Sequence, residues 1–326
     1  MDEFEIIRRY FSSAVTESHA GILLGPGDDC ALLQVPADSE LCVSTDTLIE
    51  SVHFPKKAAG RLVATRTLAA NLSDLAAMGA RPYGFTLALT LSEVLEPWLE
   101  EFSQCLQELT KQYQFPLIGG NLSKGSLSLT VTVMGIVPKG RAILRSTARV
   151  GDDIFVSGYL GDAAGGLKCL EKGATSTDHS QSGREVDIQK SHLNRYLSPV
   201  PRVELGLALR DVASAAIDIS DGFSADLKHL CESSRVGARI QSSDIPLSPA
   251  LKADFSPTQA MMLALSGGDD YELCFTVPKR LSEEVALISS KLNLPITCVG
   301  EITKETNVVI ADQQNKPIDV GGYRHF

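Results

Sequence analysis

The sequence predicts a two-domain α/β (α+β) fold, because strand and helix patterns alternate along both halves of the 326-residue chain. Residues 85–91 and 127–133 alternate apolar with small or polar side chains, a period of two that is typical of strands with one buried face. Between them, apolar residues in 98–113 recur every three or four positions, which predicts an amphipathic helix. A chain of this length suits two hydrophobic cores rather than one.

The remaining elements follow from the same patterns. The alanine-rich segment 58–78 predicts a helix that ends at Gly79, a residue suited to a helix C-terminus. Residues 173–191 are polar and turn-rich, so we expect a mobile surface loop there. The C-terminal half predicts strands near 153–158, 214–219, 271–277, 296–299 and 308–311, and helices near 162–171, 223–233, 257–265 and 281–292.

The domain boundary is predicted between these two series of elements. In the segment 138–152 the periodic pattern gives way to proline, glycine and basic residues. Such composition is typical of a linker that few contacts cross. We therefore expect an N-terminal domain over residues 1–140 and a C-terminal domain over residues 141–326.

Composition narrows the classes of partner. The net charge of −10 argues against nucleic acid and anionic membranes as partners, since no basic tract is present to neutralise phosphates. No apolar run reaches the roughly 18 residues that a membrane-spanning helix needs. The first residues lack the pattern of a signal peptide, and the seven cysteines are scattered without a Cys-x-x-Cys pair. These features predict a cytoplasmic protein.

Acidic residues recur at the ends of apolar segments, next to Gly, Ser or Thr. A single such residue fits a turn or a helix cap, but five segments in one chain are harder to explain in that way. Oxygen donors without His or Cys favour Mg²⁺, which takes one or two carboxylates and leaves other positions to phosphates. We therefore predict several Mg²⁺ ions and a polyphosphate. The segments are GPGDDCALL (25–33), VSTDTLIESVHF (43–54), NLSDLAAMG (71–79), AIDISDGFSADL (216–227) and SGGDDYELCF (266–275).

Local geometry groups some of these acidic residues with other polar ones. A strand through VSTDT places Ser44 and Asp46 on one face and Thr45 on the other, and Asp218 and Ser220 likewise share a strand face. In the alanine-rich helix a polar stripe of Thr67, Asn71 and Asp74 runs opposite a row of leucines. Either a solvated face or a ligand site explains this stripe. Its short side chains favour a site, because solvated faces usually carry Lys and Glu.

Glycine-rich segments predict turns whose backbone N–H groups contact phosphates. They occur in LLGPGDD, IGGN and LGDAAGGL, and the second of these lies in PLIGGNLSKG (116–125). Neither a Walker motif, G-x-x-x-x-G-K-[ST], nor a Rossmann G-x-G-x-x-G is present. The phosphates are therefore expected to be bound in some other way.

Taken in order, the motifs resemble the thiamine-monophosphate kinase family, which belongs to the superfamily of aminoimidazole ribonucleotide synthetase and selenophosphate synthetase. The resemblance implies an N-terminal, mixed-sheet ATP-binding domain that forms a homodimer, and a C-terminal α/β domain. It implies in-line transfer of the ATP γ-phosphoryl group to thiamine monophosphate, assisted by several Mg²⁺ ions. The segments that carry it are GDDCALL, STDTLIESVHF, NLSDLAAMGA, AIDISDGFSADL, SGGDDYELCFTV and GGYRHF, spread over nearly the whole chain.

The resemblance also implies roles for individual residues. The implied metal ligands are Asp29, Ser44, Thr45, Asp46, Asp74, Asn121, Asp218 and Asp221. The implied ATP contacts are Tyr113, Gly120, Asn121, Arg145 and Ser220. The implied thiamine-phosphate contacts are His53, Asp269 and Tyr323, the last of which suits stacking on a cationic ring. The residues expected to carry catalysis are Asp46, Asp74 and Arg145.

Two positions depart from the family pattern. Where the family typically has Gly-Gly-Asp-Thr-Thr, this chain has Asn121 in place of the Asp, so that metal is expected to bind more weakly or to depend more on Asp46. Asp269 stands where the family often has the longer Glu, so it is expected to reach its ligand through water.

Three alternatives stay open on sequence alone. One is another ATP-dependent kinase or synthetase of the superfamily, acting on a different phosphorylated metabolite. The second is a non-catalytic protein that binds divalent cations and nucleotide, for which Asn121 is the best evidence. The third, a Mg²⁺-dependent phosphatase, ranks below both because no nucleophile is evident.

Overall fold

The chain folds into two compact α/β units, as the sequence predicts. One unit comprises Met1–Leu75 with Ala80–Arg141, and the other comprises Ala76–Gly79 with Ala142–Phe326. No helix in the described part of the chain is long and apolar enough to cross a membrane. The structure, a computed structural model, describes residues 2–14, 21–171, 184–312, 314 and 316–318.

The first unit contains a four-stranded mixed sheet. Its strand order is β3-β6-β4-β5, in which only β4 and β5 run parallel. A short helix, α1 (Glu3–Ile6), precedes a π-helical turn (Ile7–Phe11) and a 3₁₀ turn (Ser12–Ala14). The other elements are β1 (Ile22–Leu24), β2 (Leu32–Leu33), β3 (Ser39–Ile49), α2 (Gly60–Ala77), β4 (Arg81–Leu91), α3 (Glu96–Tyr113), β5 (Leu117–Lys124) and β6 (Ser128–Pro138).

The two faces of this sheet differ in character. On one face the side chains of Leu87, Val131 and Val133 are buried, because alternate residues of each strand point toward the hydrophobic core. On the opposite face the hydroxyl oxygens of Thr45 and Thr132 lie 2.9 Å apart. We call this second side the open face, because most of the β3 side chains on it are exposed.

The segment IGGN is a strand, and the prediction of a turn there is wrong. Gly119 and Gly120 lie inside β5, where they pair with Thr86 and Leu87 of β4. A Cβ added at Gly120 would clash with the carbonyl oxygen of Leu87, whereas one at Gly119 would lie 3.7 Å from the Thr86 methyl carbon. Gly120 is therefore required by the close approach of a neighbouring strand.

The second unit contains a six-stranded sheet in the order β12-β9-β11-β7-β10-β8. Every strand and helix predicted for this half is present, and the segment 184–191, predicted as loop, is helical instead. Residues 172–183 lie outside the described part. The elements are β7 (Asp153–Ser157), α4 (Asp162–Glu171), α5 (Arg184–Leu197), α6 (Val203–Leu209), β8 (Ala215–Ile219), α7 (Phe223–Ser234), β9 (Gly237–Gln241), α8 (Pro249–Asp254), α9 (Pro257–Ser266), β10 (Glu272–Val277), α10 (Ser282–Leu292), β11 (Ile296–Thr303) and β12 (Val308–Ala311).

The glycines of LGDAAGGL do not form the predicted phosphate-binding turn. Gly165 and Gly166 lie within helix α4, so their N–H groups belong to the helix. A Cβ at Gly166 would clash with the carbonyl oxygen of His192 in α5, so the small residue permits close packing of the two helices. The N–H of Gly161 donates to Asp270 Oδ2 at 2.7 Å. The backbone donors of this segment are thus used within the protein.

We predict that Gly120→Ala destabilises the protein while Gly119→Ala does not. The added methyl at position 120 meets a backbone oxygen, which cannot move aside as a flexible side chain does. Overpacking of this kind costs about 1–3 kcal/mol of unfolding free energy. Urea denaturation of both variants measures the difference, and equal midpoints would contradict the steric explanation of Gly120.

Candidate active site

Two elements of the first unit, a strand and a helix, carry side-chain oxygens that could bind a metal ion. Ser44 Oγ, on β3, donates a 2.6 Å hydrogen bond to Asp74 Oδ2, on α2. Asp46 lies two residues further along β3, on the same face as Ser44, and both are half-buried. The structure therefore brings Ser44 into contact with Asp74 and places Asp46 on the same strand face as Ser44, as the sequence predicts for Ser44 and Asp46.

The polar stripe of helix α2 is buried rather than solvated. Thr67 and Asn71 are 2% and 0% exposed, so the explanation of a solvated face is wrong. Asn71 Nδ2 donates to the carbonyl oxygen of Thr67 at 2.9 Å. Within the described residues, Thr67 Oγ1 and Asn71 Oδ1 have no hydrogen-bond partner. Buried oxygens of this kind usually have a partner, so the stripe that ends at Asp74 is unusual for a helix core.

Two implied metal ligands, Thr45 and Asn121, lie away from this cluster. The side chains of both are on the open face, whereas Asp46 faces the helices. Their strands, β3 and β5, are the two edges of the sheet, which places Asn121 about 14 Å from Asp46 at three strand spacings. Asn121 Nδ2 instead donates to Ser123 Oγ at 2.8 Å. Within one chain, Asn121 and Asp46 thus do not share a metal ion.

His53 is held in one tautomer by the backbone. Its Nδ1 accepts a 3.0 Å hydrogen bond from the N–H of Ile49, so the neutral imidazole carries its proton on Nε2. The carbonyl oxygen of His53 accepts from Nη2 of Arg66 at 3.1 Å, and Arg66 is only 1% exposed. A buried guanidinium therefore anchors the turn that carries His53.

The remaining first-unit candidates lie on other elements. Asp29 is exposed in the loop between β1 and β2, where its N–H donates to Asp28 Oδ1 at 2.8 Å. Tyr113 is the half-buried last residue of α3, and Gly120 is exposed within β5. Their assignment as metal or ATP contacts stays a prediction.

In the second unit, Ser220 and Asp269 are brought together by the backbone. Asp218 lies in β8, in register with Leu273 of β10, and Ser220 and Asp221 follow the end of β8. The N–H of Asp269 donates to the carbonyl oxygen of Ser220 at 2.9 Å. Candidate residues from two sequence motifs thus meet at one end of the sheet.

The turn of Ser220 and Asp221 is held by Asp226, a residue that the sequence motifs alone did not single out. Its Oδ2 accepts from the N–H of Ser220 at 3.0 Å and from that of Asp221 at 3.1 Å, and the residue is 3% exposed. Burial, then the charge of Asp221, raises the pKa of Asp226 to about 7. Its place within the acidic segment AIDISDGFSADL, five residues after Asp221, is the one sequence feature that could have indicated this role.

Two residues predicted for the site, Arg145 and Tyr323, are found neither with Ser44 and Asp74 nor with Ser220 and Asp269. Arg145 is exposed after the first unit, and its carbonyl oxygen accepts from Ser234 Oγ at 2.7 Å. Tyr323 lies outside the described residues, as does the rest of GGYRHF. No group of three or more His, Cys, Asp or Glu side chains that could hold a metal ion occurs in the described part of the chain.

Comparison with known proteins identifies the family. Residues 27–137 match the AIR synthase related protein, N-terminal domain, and residues 149–313 match the corresponding C-terminal domain. The thiamine-monophosphate kinase of Escherichia coli strain K12 is 44% identical over 326 residues, covering 99% of this chain and 98% of that protein. The chain belongs to the thiamine-monophosphate kinase family.

Solved structures of this family share the fold. Thiamine-monophosphate kinase from Stenotrophomonas maltophilia K279a is 43% identical with a TM-score of 0.87, and 98% of each chain is covered. AaThiL, solved as a complex with AMPPCP and TMP, is 31% identical with a TM-score of 0.78, covering 92% of this chain and 91% of that one. The family resemblance and the two-domain fold predicted from the sequence are confirmed.

We predict that Asp226 makes stability depend on pH. The folded protein holds the Asp226 proton up to about pH 7, whereas an unfolded chain releases it near pH 4, so stability falls as pH rises between these values. Both backbone N–H groups donate to the same oxygen of Asp226. The side-chain amide oxygen of the Asp226→Asn variant can accept both hydrogen bonds, but this variant cannot ionise.

Urea denaturation at about pH 4 and about pH 8, without Mg²⁺ or nucleotide, measures the effect. Wild type is expected to lose more unfolding free energy across this interval than Asp226→Asn, by at most about 4 kcal/mol. Equal pH dependence in the two proteins would contradict a raised pKa at Asp226.

Proposed function

We propose that this protein transfers the γ-phosphoryl group of ATP to the phosphate of thiamine monophosphate, giving thiamine diphosphate and ADP. The observation that carries the proposal is full-length similarity to a thiamine-monophosphate kinase at 44% identity. The complex of AaThiL with AMPPCP and TMP supports it, because that related protein binds both compounds in one structure.

The oxygen donors around Asp74 fit Mg²⁺ carried by the nucleotide. Ser44, Asp46 and Asp74 are all oxygen ligands, and Mg²⁺ usually takes only one or two carboxylates from a protein. This accounts for the lack of a three-residue metal cluster in the described chain. When bound, Mg²⁺ supplies positive charge that neutralises phosphate oxygens. In the second unit, Asp218 and Asp221 would hold further Mg²⁺.

The chemistry needs positioning more than proton transfer. The acceptor phosphate oxygen is ionised at neutral pH, so no general base is required for in-line attack on the γ-phosphorus. The Nε2–H of His53, fixed by the Ile49 bond to Nδ1, would donate to the substrate phosphate. Arg145 would offset negative charge that develops during transfer.

The open face of the first sheet is proposed as the homodimer contact. On β3 it exposes Leu41, Val43 and Ile49 by 42%, 58% and 41%, alongside the paired hydroxyls of Thr45 and Thr132. Apolar strand faces of this kind are unfavourable in water and are usually covered by a partner. A second copy of this chain would cover it.

We also propose that the reaction takes place in the cytoplasm. All seven cysteines are free thiols, five of them buried or half-buried. Free thiols persist in a reducing compartment, where disulfides rarely form.

Asp46→Asn and Asp74→Asn are predicted to lower kcat by about 10²–10³-fold, because each removes a charge from the site that would hold the phosphates and their metal. Thiamine diphosphate formation, followed by chromatography with ATP, Mg²⁺ and thiamine monophosphate, measures the rate. Asp38→Asn, at an exposed turn before β3, is the control and should keep wild-type activity. Wild-type rates in both site variants would refute the assignment of these carboxylates.

Val43→Asp is predicted to convert a dimer to monomers, because it places a charge within the proposed contact, at the most exposed of its three apolar β3 residues. Sedimentation velocity measures the state of association. Leu287→Asp is the matched control, since this residue is 64% exposed on helix α10 and lies on a different surface element. A wild-type monomer, or a Val43→Asp dimer, would rule out this contact.

A further inference from the structure

The hydroxyl of Tyr271 binds the carboxylate of Asp269. Tyr271 Oη donates to Asp269 Oδ1 at 3.0 Å, and Tyr271 is 7% exposed. We propose that Tyr271 is a positioning residue, which fixes the Asp269 carboxylate in the orientation that receives thiamine monophosphate. The inference rests on the proposed function and extends it to a residue of SGGDDYELCF that has no role so far.

The backbone around this pair is held in an unusual conformation. Asp269 and Tyr271 have φ angles of +70° and +49°, in the left-handed region that residues with a Cβ rarely adopt. Asp is among the side chains that tolerate this region best. The left-handed conformation is therefore less strained at Asp269 than it would be at most residues with a Cβ.

Backbone contacts fix the loop against the end of β8. The N–H groups of Asp269 and Tyr271 donate to the carbonyl oxygens of Ser220 and Ile219, each at 2.9 Å. A Cβ at Gly268 would lie 2.6 Å from the carbonyl oxygen of Ser220, so the two segments are in close contact. With the main chain fixed, the remaining freedom at Asp269 is rotation of its side chain. The phenol hydrogen bond restricts that rotation.

The charge of Asp269 indicates which part of the substrate it faces. A carboxylate repels the phosphate of thiamine monophosphate and attracts its cationic thiazolium ring. The orientation of the Asp269 carboxylate matters, because a side chain that must be ordered on binding loses entropy and so lowers the affinity for the ligand. Tyr271 would thus act on affinity for thiamine monophosphate, and only weakly on ATP.

Tyr271→Phe tests the proposal, because it removes one oxygen atom and leaves the ring in place. We expect the KM for thiamine monophosphate to rise about tenfold, the size expected for a lost hydrogen bond to a charged group, with kcat and the KM for ATP nearly unchanged. An unchanged KM for thiamine monophosphate would overturn the positioning role.

A double-mutant cycle asks whether Tyr271 acts through Asp269. Asp269→Gly removes the carboxylate, and glycine accepts the positive φ at this position. In that background Tyr271→Phe should have no further effect on the KM. A tenfold rise in both backgrounds would mean that Tyr271 acts independently of Asp269, and would overturn the proposal.

Two further measurements test whether an effect of Tyr271→Phe on the KM comes from general loss of stability, and whether the positioning role can fail independently of the proposed function. Tyr83→Phe also removes a buried phenol hydrogen bond, from Tyr83 Oη to the carbonyl oxygen of Gln34. It should lower the melting temperature without changing the KM for thiamine monophosphate. A matching rise in that KM would overturn a specific role for Tyr271.

Calorimetric titration with thiamine monophosphate alone measures affinity without turnover. Wild-type binding that weakens about tenfold in Tyr271→Phe supports the positioning role even if no product forms. Binding with equal affinity in both proteins overturns that role alone. No binding to wild type overturns both proposals.

Discussion

The pairing of β3 with β6 determines which side chains can reach Asp74. Antiparallel pairing runs along the whole of β3, from Ser39 opposite Pro138 to Ile49 opposite Ser128. Because side chains alternate between faces, a slip of one residue would turn Ser44 away from the helices and expose the neighbouring buried residues. The hydrogen bond between Ser44 and Asp74 therefore depends on a register that the apolar face fixes.

In the second unit, buried acidic side chains are the partners of backbone N–H groups and guanidinium groups. Asp226 accepts from the turn after β8, and Asp270 accepts from the N-terminus of α4. Glu272 is fully buried and binds Arg195 and Arg202. Burial raises the pKa of Asp226 to about 7 and that of Asp270 to about 8, so both hold their protons more tightly than exposed carboxyls do. Removing the charge of Glu272 from water is unfavourable, and its two ion pairs offset that cost. The loops at this end of the sheet are consequently held by side chains of helix α7 and of the segment that leads into β10.

Periodicity was enough to predict most strands and helices, because amphipathic elements repeat their apolar residues locally. The Gly-Gly pair was misassigned because glycine marks turns and close strand contacts alike, and only the position of Leu87 distinguishes them. Segment 184–191 is polar enough to resemble a loop. Asp226 and Tyr271 act on residues that the motifs had already highlighted, so their roles need distances that a sequence does not contain. The shared face of Ser44 and Asp46 was predictable, since residues two positions apart in a strand lie on the same face.

The long separation between β3 and β6 has a consequence for how the protein is made. During synthesis β3 emerges well before its partner, which ends only at Pro138. Strand pairing between such distant segments is slow, because the chain loses the entropy of a large loop before the stabilising contacts form. A nascent chain therefore carries an unpaired strand that a chaperone can recognise. The sheet that brings Ser44 to Asp74 therefore cannot be completed until β6 has been synthesised.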